Sequence, residues 1–414
     1  MRFMKVHGSL AVLTMLFTIT EARAEPCSAL IDEPATPIPK IYIENGDTQE
    51  PLVKRLGKLL VASSTPLRIV YRNRPTCNIR DSLFEKKVMT EVREGAPPAL
   101  RTVKYIPVDP TQEPRECTVP LPADAAVAPR IELGIGATYI SSCSAKVQPA
   151  DIAAREGPIQ AYGFIAHKSS SQVAITAEEG YLAYGFAAGT GEAQPWVVQE
   201  LRFKRGNTAS TTLTMSSAVR LRPAEMKAAP DSTRSEDIIT GILGAANREA
   251  ALGILGTELF DLQRASDIKM LAFKSFGQRF AYFPDKTNAT FDKANVRDGH
   301  YLPWSPTPYL MEVNASQVPV SASALRIYEL VMGLRSEPAV EGLLQVVQSG
   351  LVPKCAMKVT RPGDGADLSL YDDPAPCGCY FESKVVGGST ACTACANDTI
   401  CNGSKCRLGF CEAR

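Results

Sequence analysis

The chain has 414 residues, 45% of them hydrophobic, with 45 lysines and arginines against 44 aspartates and glutamates. This is enough apolar material to pack cores in two or three domains, and it excludes a disordered chain. The charge balance supplies no basic face or stripe, which argues against nucleic acid or an anionic membrane as partner.

Residues 1–24 read as an export signal: Arg2 and Lys5 precede the apolar run LAVLTMLFTI, and Ala22-Arg23-Ala24 is a small-x-small cleavage pattern. The run is shorter than the ~20 apolar residues of a spanning helix, and no later segment is long enough. The expected mature chain starts at Glu25 and is a nearly neutral, soluble monomer, periplasmic or secreted.

Next in chain order, KIYIENG (40–46) alternates as a strand into a glycine turn, and PLVKRLGKLL sets Leu52, Leu56, Leu59 and Leu60 on one helical face. LRIVY (67–71) is the following strand. In this β-α-β unit the turn Gly46-Asp47-Thr48 falls at the carboxyl end of a strand, where open α/β sheets bind ligands. GPIQAYGFIAHK (157–168) is a strand, and Thr176 with Glu179 forms a capping box that opens a short helix. A strand at QELRFK leads into KRGNTASTTLTM. DIITGILGAAN (237–247) is a helix with Ile238, Ile239, Ile242 and Leu243 on one face, and LGILG (252–256) is a short buried strand. SALRIYELVMGL and AVEGLLQVVQSG are amphipathic helices, the second ending at Gly350. Trp196 and Trp304, beside prolines in loops, read as packing residues.

Cys27, Cys77, Cys117 and Cys143 are spread over the first part of the chain, whereas Cys355, Cys377, Cys379, Cys392, Cys395, Cys401, Cys406 and Cys411 crowd its end. Export puts these even sets in an oxidising space, so all twelve are disulfide candidates, with their pairing open. Zinc held by thiolates of CGC, CTAC, Cys401, Cys406 and Cys411 is the competing reading. The disulfide framework is preferred, with no metal and no cofactor. CTACANDTICNGSKCRLGFC has too few apolar side chains for a core and needs covalent staples, giving a small module over 353–414. GGST (387–390) reads as a flexible joint within it.

The sequence gives catalysis no handle. His167 and His300 stand without an obvious nucleophile, EEG (178–180) and NVRDGHY (295–301) set up no acid–base pair, and H-E-x-x-H, G-x-S-x-G and P-loop patterns are missing. We therefore expect a binding protein rather than an enzyme. Two small-residue turns at strand ends each open a helix, whose free N–H groups and positive dipole end suit an anion.

The order YGFIAHKSSSQVAITAEEGYLAYGF, a segment at 189–196 with glycine and tryptophan, a strand, then KRGNTASTTLTM resembles the phosphate-binding proteins of ABC importers, of the type 2 periplasmic binding protein fold. LGILGTELFDLQRASDIKMLAFKSFGQRFAYFPDKTNATFDKANVRDGHY resembles an exported myxobacterial subgroup with cysteine-rich carboxy-terminal tails. The likeness runs over roughly residues 38–360 and implies an α/β fold of two hinged lobes plus the small disulfide-rich module. Lobe one takes 25–155 and returns at 300–352, and lobe two takes 156–299. The implied function is capture of phosphate or a related oxyanion for an ABC transporter permease.

Carried across position by position, Arg205 matches the family's anion-holding arginine, Asn207 its aspartate, Ala209 its serine, Ser210 its second glycine and Thr211 its threonine. Gly46, Asp47 and Thr48 stand at the amino-terminal Gly-Ser-Gly turn. With Thr208, the implied ligand set is Gly46, Asp47, Thr48, Arg205, Asn207, Thr208, Ser210 and Thr211. Three departures matter. Ala209 lacks a hydroxyl and Ser210 adds a Cβ; Asp47 brings a negative charge; and ELGIGATYISSC (132–143) has Gly136 and Ala137 where the family strand ends in a ligand-facing aspartate. Strict phosphate selectivity is not expected. The alternative is a non-transporting envelope protein with a decayed pocket, whose cysteine-rich tail mediates protein–protein interaction.

Overall fold

The computed structural model describes residues 24–91, 102–187 and 193–412. The expected signal up to residue 23, and residues 189–192 of the segment at 189–196, lie outside the described residues.

The chain opens as its apolar pattern dictates. Strand β1 (Lys40–Asn45) buries Ile41 and Ile43, and helix α1 (Glu50–Val61) buries Leu52, Val53, Leu56 and Leu60 against the sheet. β2 (Arg68–Asn73) pairs in parallel with β1. After α2 (Thr76–Phe84), the short strands β3 (Val103–Tyr105) and β4 (Arg115–Cys117) close this edge antiparallel, and β5 (Leu133–Ile135) pairs in parallel with the other side of β1.

The next strand, β6 (Ile152–His167), is 16 residues long. Beyond it come β7 (Ala174–Thr176) and α3 (Ala177–Gly185), which starts at the expected Thr176–Glu179 capping box. Then follow β8 (Arg202–Phe203), α4 (Ser210–Ala218), α5 (Ser235–Gly244), β9 (Leu252–Gly256) and α6 (Thr257–Leu262). β10 (Ile268–Met270), β11 (Ala272–Lys274) and α7 (Ala294–Arg297) lead to the nine-residue β12 (Trp304–Glu312), then α8 (Ala322–Val331) and α9 (Gly342–Gln348). The expected strand at QELRFK shrinks to two residues because a 3-10 turn, Gln199–Leu201, takes up its start. Trp304, expected in a loop, begins β12 and is 1% exposed.

The main sheet has ten strands in the order β4-β3-β2-β1-β5-β12-β6-β9-β8, with β10 also on β6. β6 and β12 bind its two halves together. β12 pairs with β5 through Tyr309 and Leu310, and with β6 from Glu312 on Ile152 to Trp304 on Ala161. Further along, β6 pairs with β9 and β10. The cores divide accordingly. One cluster gathers Ile41, Leu56, Ile69, Leu133, Tyr309 and Leu330 around the first half, and another gathers Phe164, Tyr184, Trp196, Met215, Ile254 and Trp304 around the second. The mixed α/β class read from the sequence is therefore the one adopted.

All twelve cysteines are paired: Cys27–Cys117, Cys77–Cys143, Cys355–Cys377, Cys379–Cys392, Cys395–Cys406 and Cys401–Cys411. The sulfurs of Cys395, Cys401 and Cys406 lie close together, but disulfides use all three, which leaves no thiolate for zinc. The disulfide-rich module contains β13 (Val359–Thr360), β14 (Ser369–Leu370), α10 (Gly378–Lys384), β15 (Lys405–Arg407) and β16 (Phe410–Glu412). It is no loose tail, since Cys377, Tyr380 and Phe381 join the core cluster of the second half. Nor is 387–390 a slack joint: Gly388 N–H donates to Val385 at 2.9 Å and Thr390 donates to Glu382 at 3.1 Å. Among the described residues no helix is long and apolar enough to cross a membrane.

Candidate ligand-binding cleft

A cleft of about 1290 Å³ opens between the two halves of the sheet. Asp47, Thr48, Arg205 and Ser235 border it, with α1 contributing Lys54, Arg55 and Lys58. Asp47 and Thr48 form a 3-10 turn between β1 and α1. The parallel β2-β1-β5 arrangement thus delivers this turn to the carboxyl edge of the sheet, as the β-α-β reading requires. Gly46 itself has φ −61°, a conformation open to any residue, so the turn does not depend on glycine here.

Arg205 comes from the opposite half, just after β8. Its side chain is 6% exposed and is fixed by three partners: Nη1 ion-pairs with Asp47, Nη1 also donates to the Ser235 hydroxyl at 2.9 Å, and Nε donates to the Ser232 carbonyl at 3.2 Å. Ser235 in turn donates to Asp47 at 2.9 Å. Burial draws the guanidinium down to about 10, against the opposing pull of Glu236 and Asp237. The guanidinium therefore lies on the cleft wall, and the chain's own carboxylate, Asp47, compensates its charge from across the cleft. Nη2 takes no part in these bonds.

Ser210 and Thr211 lie at the start of α4, where Ala209 at the N-cap leaves the first amides without a side-chain cap. Both are buried, and the Thr211 hydroxyl has no hydrogen-bond partner among the described residues. Thr48 Oγ1 likewise makes no well-formed hydrogen bond, although the Tyr162 phenol stands beside it and Ser210. That phenol donates to the Ala137 carbonyl, and burial holds its ionisation well above the ordinary range. A neutral tyrosine thus fills the space where Thr48, Ala137 and Ser210 converge. Asn207 and Thr208 do not come to the cleft. Both are exposed, and Asn207 accepts from Lys204 at 3.0 Å, tying down the turn.

Sequence reasoning missed Ser235 and Glu258. Ser235 opens α5 before Glu236 and Asp237, an acidic first turn that does signal a helix start. Glu258 borders the cleft yet is 2% exposed, and burial raises it to about 8. It accepts from Gln160, whose Oε1 takes a 3.2 Å bond from Gln49. No local pattern marks that chain, because its members sit in three distant segments.

No family model and no curated protein matches the chain. Solved structures similar to it include a protein assigned as a phosphate ABC transporter substrate-binding protein, with bound phosphate, from Clostridium perfringens, at 13% identity over 76% of this chain and 99% of that one, TM-score 0.49. An ABC-type phosphate transport receptor from Vibrio cholerae follows at 13% identity, covering 75% and 99%, TM-score 0.44. The reduced OxyR regulatory domain from Pseudomonas aeruginosa is similar at 11% identity, covering 72% and 98%, TM-score 0.36.

Proposed function

We propose that this chain is an extracytoplasmic solute-binding protein that captures a small oxyanion, phosphate or a related ion, between two α/β lobes for an ABC importer. The observation that carries this is Arg205, a buried arginine on the cleft wall whose Nη1 and Nε are anchored while Nη2 is left over. Anchoring two nitrogens pre-organises the third, and an oxyanion is the natural ligand of such a guanidinium. Thr48, from the other lobe, would add a hydroxyl donor, while Ser235, whose one proton goes to Asp47, holds Asp47 and Arg205 in place. The two lobes would be the two core clusters, with β6 and β12 as the crossings about which they close. Asp47 would accept a hydrogen bond from a protonated ligand oxygen and disfavour a fully ionised one. Six disulfides fit an oxidising compartment.

Isothermal titration of the oxidised chain 25–414 with phosphate, sulfate and small phosphonates tests this. Micromolar binding that Arg205→Ala abolishes is the expected result. Absence of heat with every one of these anions in the wild-type protein would overturn it.

A further inference from the structure

Apart from the residues that border the cleft, the chain carries a second arrangement of anion donors, and this one is already filled. Thr138 and Ser142 follow β5 in the first half, Thr214 lies on α4 in the second, and Ser305 lies on the crossing strand β12. The hydroxyls of Thr138, Thr214 and Ser305 form a triangle with sides of 3.0, 3.3 and 3.3 Å, and all three residues are at most 2% exposed. Thr138 and Ser305, with Ser142 beside them, present a preorganised set of oxyanion donors, and Thr214 braces the first two through its own hydroxyl.

The occupant is Asp364, on the segment between β13 and β14 of the carboxy-terminal module. Its Oδ2 accepts from Thr138 at 2.8 Å and Ser142 at 2.5 Å, and its Oδ1 accepts from Ser305 at 2.6 Å. The side chain is 5% exposed. Arg361, three residues earlier, lies 3.6 Å from the same carboxylate, stacks 4.4 Å over the Trp304 ring and donates to the Trp304 carbonyl. This buried anion is therefore balanced by a cation on its own turn. Tyr139 closes the loop by donating to the Arg361 carbonyl at 2.9 Å.

We propose that Asp364 is a built-in ligand. Its carboxylate occupies an oxyanion site whose donors are Thr138 and Ser142 of the first half and Ser305 of the crossing strand, with Thr214 of the second half bracing two of those hydroxyls, so residues 361–366 fasten the halves together, and the site admits an external carboxylate or phosphate only when that segment withdraws. The site differs from the Arg205 cleft in every donor, so it stands or falls independently of the function proposed above. Without Asp364, Thr138, Ser142 and Ser305 would be left with unpaired donors, and only the weaker hydroxyl–hydroxyl contacts of Thr214 would join the halves at this point.

Hydrogen exchange followed by mass spectrometry on the chain 25–414, as wild type, Asp364→Ala and Asp364→Asn, tests this, with formate as the probe because it replaces the carboxylate that alanine lacks. In Asp364→Ala, amides of both 136–143 and 210–218 should exchange roughly tenfold faster, the loss expected for a charge-assisted bond. Millimolar formate should return both segments to the wild-type rate in that variant, leave the wild type unchanged, and act equally in an added Arg205→Ala background. Asp364→Asn, which keeps the shape, should fall between the two and guards against simple misfolding of the alanine variant. Faster exchange in only one segment, or no response to formate, would overturn the proposal.

Discussion

At the scale of single residues the cleft is governed by groups whose charge is settled by burial rather than by type. Glu258 shows this most directly: it is lifted from the ordinary 4.5 to about 8 by burial, with Asp261 adding repulsion against the steadying bond from Gln160. Below pH 4.5 the carboxyl is protonated in the folded and unfolded chains alike. Between 4.5 and 8 the unfolded chain releases the proton while the folded chain keeps it, so stability falls as pH rises and levels off above 8. The loss is on the order of 3 to 5 kcal/mol. Glu258→Gln removes the titration, so urea unfolding should find the variant gaining on wild type between pH 5 and pH 8.5. A stability difference that stays constant over that range would rule out the assignment. The sequence exposed these residues unevenly. Arg205 and Thr48 were legible, because a turn between a strand and a helix has a local signature. Glu258 and Asp364 were not, because each acquires its role from a distant partner, Gln160 98 positions from Glu258 and Thr138 226 positions from Asp364, and Tyr162 was not, because it acts where Thr48, Ala137 and Ser210 meet from three separate segments.

Elements were legible wherever apolar spacing ran long enough to set a period. α1, β1, β2, α5 and α8 follow their patterns to within a few residues, and the Thr176–Glu179 box marks the start of α3. Strands of three residues, such as β3, β7 and β10, carry too little alternation to be read, and α4 was legible only through the turn that opens it. Its sequence STTLTMSSA has no apolar face, yet seven of its nine residues are buried, so tertiary contacts rather than propensity hold it in place. Glycines separate close packing from idle flexibility at this scale. At Gly342, the start of α9, a Cβ would press into the backbone carbonyl of Leu330 on α8, whereas at Gly244, the last residue of α5, a Cβ would meet nothing within 4 Å. Gly342→Ala should therefore cost about 2 to 3 kcal/mol through overpacking of the two helices. Gly244→Ala should stabilise by about 0.5 kcal/mol through helix propensity and the stiffer unfolded chain. Chemical denaturation of the two variants compares them directly, and equal effects would refute the packing argument.

At the scale of the whole molecule, the cysteine-rich end is part of the fold rather than an appendage to it, and sequence could not have told the difference. The final cysteines are poor in apolar neighbours, as an autonomous stapled module would be, but Tyr380 and Phe381 just before them face into the second half's core. The Cys355–Cys377 bridge fixes that junction, and Arg297 below it ion-pairs with Glu382 at 2.9 Å while its guanidinium faces the Phe381 ring at 5.2 Å. β16 ties back as well: the Glu412 carboxylate accepts from the first amides of α10, Cys379 at 3.0 Å and Tyr380 at 2.9 Å, where helix polarity favours an anion. Removing residues 377–414, with Cys355→Ser to avoid a stray thiol, would uncover that apolar surface and leave Arg297 without its carboxylate. Two aromatic side chains at about 2 kcal/mol each make a loss of roughly 4 kcal/mol. On a chain this long that lowers Tm by about 5 °C or more. An independent tail would instead leave the melting of residues 25–376 unchanged, so a differential scan of the truncated and full chains decides between a module that completes the core and one that hangs from it.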